Sequence, residues 1–319
     1  MNVVNYIMST NPLVFYSVVA LASLIILSKS SDMLVYGISN YAKKLGVSDF
    51  LIGFIVVSIG TALPELVASL TGALSGEGAI VFGTIFGSNI FKVPLLGLVL
   101  ILGRKLKIKD NDLGMAPIIT LVIIVIPLIL VLDGSLSRID GVILITAFVV
   151  YISRLWNKEG KMGRMKKDVL LKNIYQDGII FVLSLTVLLI SGRLLVYSSI
   201  SISKILDVSP YIIGLVVIGI GASMPELTVQ IRSIRTKHSK LAFGNIFGSL
   251  IANSALVLGL TAFIKPFKVD INLLWLAGFV MISAITYVLF LMGKKELTWK
   301  HGLILIVGYL LYLSVEIIF

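Results

Sequence analysis

The residues of this chain best able to do chemistry are two glutamates, each directly after a proline inside an otherwise apolar run. The runs are Ser58-Ile59-Gly60-Thr61-Ala62-Leu63-Pro64-Glu65-Leu66 and Gly219-Ile220-Gly221-Ala222-Ser223-Met224-Pro225-Glu226-Leu227. A carboxylate in such surroundings is costly unless a cation or a proton accompanies it. Proline removes a backbone N–H and crowds the preceding turn, so carbonyls near residues 58–62 and 219–222 are expected to lack helical partners. Freed carbonyls, a carboxylate and the hydroxyls of Ser58, Thr61 and Ser223 make an all-oxygen set suited to hard cations such as Na⁺ and Ca²⁺. Two converging carboxylates balance one divalent ion. The plainer alternative, neutral glutamates bonded to neighbouring helices, fits two equivalent placements less well than one.

Each run is followed by a second signature, Gly83-Thr84-Ile85-Phe86-Gly87-Ser88 and Gly244-Asn245-Ile246-Phe247-Gly248-Ser249, and the separation between copies is 161 residues for both signatures. The same register holds without a gap from Leu34 to Ser88: Leu34-Val35-Tyr36 falls on Leu195-Val196-Tyr197, Leu45 on Leu206, and Glu65 on Glu226. A register kept over that length indicates duplication. Glycines at i and i+4 let helix backbones approach closely. Ser88 and Ser249 face the carboxylates if the third and eighth spans pack on the second and seventh.

Of the 319 residues, 58% are hydrophobic and 13% charged, with a mean hydropathy of +1.06. That leaves too little polar surface for a soluble globule, and the chain reads as an all-α membrane protein. It has no cysteine and only two histidines, His238 and His301, so thiolate or histidine-rich metal centres are excluded. No bound cofactor is expected, only transported ions. Met1 to Pro12 lacks the features of a secretory signal.

A span needs about 20 apolar residues, which places ten at roughly 12–45, 50–74, 79–102, 114–132, 139–156, 178–206, 209–234, 240–264, 271–293 and 301–318. Glu65 and Glu226 then fall near the bilayer midplane. One set of alternate loops carries Lys43 and Lys44, Arg104 to Lys109, the 157–177 segment, Arg232 to Lys240, and Lys294 to Lys300; the other has only Arg138, Lys204, Lys265 and Lys268. The positive-inside rule makes the first set cytoplasmic and both termini external. The net charge of +11 is thus a topology signal, with no nucleic-acid partner. Five spans per copy is an odd number, so the copies cross the membrane in opposite senses, as in many secondary transporters. The organisation expected is a first five-helix repeat at 1–156, a cytoplasmic basic linker at 157–177 and a second repeat at 178–319, in a multi-pass protein of the cell membrane. Its partners would be lipid and the transported cations, and a single chain is expected to suffice.

Both copies resemble the alpha-repeats of the calcium:cation antiporter superfamily, most closely its prokaryotic sodium/calcium exchanger branch. That family's pattern is near Gly-Thr-Ser-x-Pro-Glu/Asp followed by Gly-Ser-Asn-x-x-Asn/Asp. Here it reads Gly60-Thr61-Ala62-Leu63-Pro64-Glu65 with Gly87-Ser88-Asn89-Ile90-Phe91-Lys92, and Gly221-Ala222-Ser223-Met224-Pro225-Glu226 with Gly248-Ser249-Leu250-Ile251-Ala252-Asn253. The resemblance implies that Glu65 and Glu226 bind Ca²⁺, helped by main-chain oxygens of Thr61 and Ala222. It also implies that Ser88, Ser223, Ser249 and Asn253 are ligands, and that Ca²⁺ is exchanged for Na⁺ or H⁺ by alternating access. Ala62 and Ala222 lack hydroxyls usual at their positions, which removes side-chain ligands from flanking Na⁺ sites.

Lys92 departs from the pattern, standing where the family has Asn or Asp and where the second copy has Asn253. An ammonium at that depth is expected against the glutamates rather than lipid, the alternative being snorkelling to an interface. There it would act as a tethered monovalent cation in place of one coupling ion, or release a proton as the divalent ion arrives. Two other function classes fit the residues less well. A cation channel can use buried carboxylates for selectivity, but a two-fold repeat does not make a filter ring. An intramembrane enzyme would need a Ser–His pair, a His-Glu-x-x-His motif or an aspartate pair, and the spans contain none.

Overall fold

The computed structural model describes residues 11–44, 58–103, 105–107, 116–159, 171–224, 226–227, 239–293 and 296–318. Among these, five helices are long and apolar enough to cross a membrane, with four shorter apolar helices beside them. Polarity is distributed as lipid demands. Glu65, Glu226, Lys92 and Asn253 are buried, whereas Val18, Leu21, Ile25, Val182, Leu183 and Ile190 are exposed. With no water to hide from, apolar side chains lose nothing at the surface, and polar groups gather where other polar groups can reach them.

The first half begins with α1 (Pro12–Lys44), followed by α2 (Ser58–Thr61) and α3 (Leu63–Leu74), which are separated at Ala62. It continues with α4 (Gly78–Gly103), β1 (Lys105–Lys107), α5 (Ala116–Leu130), β2 (Ser135–Leu136) and α6 (Arg138–Glu159). The second half has α7 (Leu171–Leu206), α8 (Pro210–Ile213), a π-helical stretch at Gly214–Gly219 and α9 (Ile220–Ala222). After it come α10 (Ser239–Ile251), a second π stretch at Ala252–Val257, α11 (Leu258–Ile264) and β3 (Phe267–Lys268). The last elements are α12 (Asn272–Gly293), β4 (Glu296–Thr298) and α13 (Trp299–Ile318).

The long α1 and α7 pack along one another, and α4 crosses both α13 and the first π stretch. That last crossing is made at backbone contact. A Cβ on Gly87 would lie 2.3 Å from the Leu215 carbonyl oxygen, one on Gly83 would lie 2.9 Å from the Leu215 nitrogen, and one on Gly219 2.8 Å from the Ser88 nitrogen. The Gly83-x-x-x-Gly87 motif is therefore a packing motif, as its spacing predicts, and it meets Tyr211 to Leu215 of the other half. The expected contact with the second span is made as well, by another face of α4 against α3.

Two small antiparallel ribbons tie loops together, with Leu106 opposite Leu297 in one and Leu136 opposite Phe267 in the other. At the 161-residue offset β1 maps onto β3 and β2 onto β4, so the two ribbons are copies of each other. The helix caps beyond them correspond too. Asp140 accepts from the Ser137 backbone N–H at 2.8 Å, and His301 Nδ1 accepts from that of Thr298 at 3.2 Å. The duplication thus extends well past Ser88, through segments where identity has faded and only backbone hydrogen bonding keeps the register.

Candidate cation site

Ala62 interrupts the second span, with φ −84° and ψ −4°, and α3 starts afresh with Pro64 in its first turn. Pro64 cannot donate to Gly60, and Ser31 of α1 donates to that carbonyl instead, at 2.8 Å. Other carbonyls expected to be free have partners: Ile59 accepts from Ala62 N–H at 3.1 Å, Ala62 from Leu66 N–H at 2.9 Å, and Ile220 from Ser223 N–H at 3.2 Å. The proline therefore disturbs a shorter stretch than the sequence implies, because the chain closes the gap with short-range turns and a neighbouring hydroxyl. Most oxygens of the site come from side chains.

Those side chains meet between the halves. Ser88 donates to Glu65 Oε1 at 2.8 Å and accepts from Asn253 Nδ2 at 2.9 Å. Ser223 Oγ lies 3.0 Å from Ser88 Oγ, 2.9 Å from the Gly219 carbonyl and 3.5 Å from Glu65 Oε1. Glu65, Ser88, Ser223 and Asn253 thus form one polar knot from both repeats, all with 0% of their surface exposed. Among the described residues Glu65 Oε2 and Asn253 Oδ1 have no hydrogen-bond partner. Such buried acceptors are costly unless something positive reaches them.

Glu226 forms the other half of the site. Its carboxylate is also fully buried and accepts no hydrogen bond among the described residues, but Lys92 Nζ stands 3.4 Å from Oε1. That is an ion pair by distance without hydrogen-bond geometry. The same ammonium lies 3.5 Å from Asn89 Oδ1, and Asn89 Nδ2 donates to Ser254 at 2.9 Å. Lys92 is only 1% exposed, so it turns inward to the glutamates and does not snorkel. Two carboxylates and one ammonium leave the cluster, fully ionised, one charge short of what a divalent ion needs.

The remaining expected ligands are placed less centrally. Ser249 is buried and donates to the Ile246 carbonyl at 3.1 Å. Thr61 and Ala222 are buried at the two helix breaks, and the Ser58 side chain lies outside the described residues. Among the described residues no third His, Cys, Asp or Glu joins a group able to hold a metal ion. Asn89 and Ser254 were missed as site neighbours. Asn89 was visible as an amide in an apolar span, but Ser254 corresponds to Val93 in the first copy, and its position is turned by the π stretch that carries it.

This architecture can be set beside known proteins. The model of the sodium/calcium exchanger protein family matches residues 15–157 and 178–318. The chain belongs to the sodium/calcium exchanger family. It is therefore of a transporter family and not an enzyme. Within that family the inner membrane protein YrbG of Escherichia coli is 30% identical, over 78% of this chain and 80% of its own length. The sodium/calcium exchanger MaX1 of Methanosarcina acetivorans is 28% identical, with 93% of this chain and 97% of that protein covered. A solved structure of the sodium-calcium exchanger NCX_Mj, soaked with Na⁺ and Sr²⁺, superposes with a TM-score of 0.67 at 23% identity, covering 95% of this chain and 99% of that one. This exchanger-family chain shares that fold.

Proposed function

We propose that this member of the family is a secondary antiporter that exchanges Ca²⁺ for Na⁺ or H⁺ by alternating access around a two-glutamate site. The observation that carries the reading is the pair Glu65 and Glu226: repeat-equivalent and fully buried, with Glu65 Oε2 and both Glu226 oxygens accepting no hydrogen bond among the described residues and Lys92 the cation beside Glu226. Oxygens in that state are what a dehydrating hard cation requires. The Ca²⁺ ligands are then Glu65 and Glu226 with main-chain oxygens of Thr61 and Ala222, while Ser58, Ser88, Ser223, Ser249 and Asn253 serve the flanking positions. Names of relatives that include sodium/calcium exchange support the choice of ions.

The architecture in this reading is ten spans in two inverted five-helix repeats, 1–156 and 178–319, joined by a cytoplasmic linker at 157–177, with both termini outside the cell membrane. The two ribbons support the repeat, since β1 pairs with β4 while their 161-residue equivalents, β3 and β2, pair with each other. Rocking one half against the other about glycine backbone contacts exposes a midplane site to either side in turn. One chain contains the complete site.

A second reading is favoured by the Lys92–Glu226 pair. Lys92 stands in for one coupling ion, and exchange is then Na⁺-independent or coupled to protons. Uptake of ⁴⁵Ca²⁺ into proteoliposomes under an imposed Na⁺ gradient, repeated under a pH gradient, separates the readings. Uptake under neither gradient would remove both, and single-channel steps in a planar bilayer would replace them with a channel.

A further inference from the structure

Ser69 and Thr84 have no exposed surface, and neither hydroxyl has a hydrogen-bond partner among the described residues. Helical hydroxyls usually escape that state by donating to the carbonyl one turn back. Thr71 does so to Val67 at 2.7 Å, Thr146 to Val142 at 2.7 Å and Thr186 to Val182 at 2.9 Å. Ser69 and Thr84 sit on neighbouring helices and do not.

Their positions are fixed by the packing of α3 on α4. The two helices touch at Glu65 and Ser88, 2.8 Å apart, and again where a Cβ on Gly72 would lie 3.4 Å from Val81. Between these contacts Ser69 follows Glu65 by one turn on α3, and Thr84 precedes Ser88 by one turn on α4. Four residues of helix rise about 6 Å. The two hydroxyls therefore lie one turn from the Glu65–Ser88 contact, on the side of the turn at Ser75–Glu77, where Glu77 is half-buried. The second half has a counterpart. Asn245 is equivalent to Thr84, precedes Ser249 by one turn, is 2% exposed and has both amide atoms unpartnered.

We infer that Ser69 and Thr84 form a transit site for the transported cation between the carboxylates and the face bearing the Ser75–Glu77 turn, and that Asn245 does the same toward the opposite face. This rests on the inverted arrangement proposed above. Neutral hydroxyl oxygens suit the task because they replace part of a hard ion's hydration without holding it as a carboxylate does, so the ion can move on. Buried oxygens with no protein donor or acceptor are satisfied when water or an ion passes.

The chain has no cysteine, so single replacements report cleanly. Ser69→Cys, Thr84→Cys and Asn245→Cys are placed in proteoliposomes without Na⁺ or Ca²⁺ and treated with a small cationic thiosulfonate from one face at a time, with Ser75→Cys marking sidedness. Ser69→Cys and Thr84→Cys should react at least about tenfold faster from the Ser75 face, and Asn245→Cys from the other, since thiol reaction needs access. No reaction at positions 69 and 84 from either face, or reaction from the wrong face, overturns the inference. Combined Ser69→Ala and Thr84→Val should slow uptake several-fold with ⁴⁵Ca²⁺ binding in detergent unchanged; undiminished uptake, or lost binding, also overturns it. Labelling is read without transport, so a failure here is distinct from failure of the carboxylate site, which full uptake by Glu65→Gln would reveal.

Discussion

Replacing Lys92 tests whether the protein carries its own counter-ion. The Lys92 Nζ to Glu226 Oε1 separation is 3.4 Å, which at an effective dielectric near 20 corresponds to a gross attraction of about 5 kcal/mol. A divalent ion reaching Glu226 must displace that ammonium or share the carboxylate with it. Much of the attraction offsets the desolvation of the pair and is not recovered. If only about 1.4 kcal/mol of it opposes the ion, removing the charge tightens Ca²⁺ binding about tenfold. Lys92→Asn, which installs the residue its repeat partner carries, should therefore bind Ca²⁺ at least about tenfold more tightly and gain Na⁺ dependence. Lys92→Ala should tighten binding with less gain in Na⁺ coupling, since it supplies no oxygen. Without an ion, both leave Glu226 buried and unpaired, so the apo protein should melt at lower temperature and show a larger Ca²⁺-induced rise. Isothermal titration and thermal melts in detergent measure binding and stability, and ⁴⁵Ca²⁺ uptake under Na⁺ and pH gradients measures coupling. Wild-type affinity, coupling and pH dependence in both variants would show that Lys92 is a bystander.

Other outcomes follow from the same geometry. Glu65→Gln and Glu226→Gln should each abolish ⁴⁵Ca²⁺ uptake while the protein still elutes as a folded monodisperse species, because the amide keeps volume and removes the balancing charge; near-normal flux in both would refute the two-carboxylate site. Ser88→Ala should reduce Ca²⁺ affinity more than Ser249→Ala, since Ser88 links Glu65 and Asn253 at 2.8 and 2.9 Å and a buried partner left unpaired costs about 1–3 kcal/mol; equal effects in titrations would contradict this. Gly87→Ala puts a methyl 2.3 Å from the Leu215 carbonyl oxygen and should destabilise by about 1–3 kcal/mol or more, seen as a lowered melting temperature. A cysteine introduced at Met165 should resist impermeant thiol reagents in intact cells, and labelling there would reverse the proposed topology.

Membrane residence, the duplication and the two glutamates were legible in the sequence because each is a local property: apolar runs of span length, a constant offset, and a charge where charge is expensive. The Lys92 anomaly was legible too, as an ammonium inside a span, expected against the glutamates with snorkelling to an interface as the alternative. Which carboxylate it meets was not, because the choice of Glu226 depends on how α4 of one half lies against the other half. The same holds for the glycines, whose spacing declares close packing but cannot name the helix that comes close. Local chemistry also overstated the role of proline. Freed carbonyls were expected from Pro64 alone, yet a hydroxyl from α1, nearly thirty residues away in sequence, takes the Gly60 oxygen. The π stretches that set Ser254 and Gly219 in register have no motif at all, since an extra residue in a helical turn is tolerated only where packing compensates for it. Sequence thus determined which residues are too costly to bury alone, and tertiary structure decided which of them are buried together, because that choice is made by backbone contacts between two halves more than a hundred residues apart.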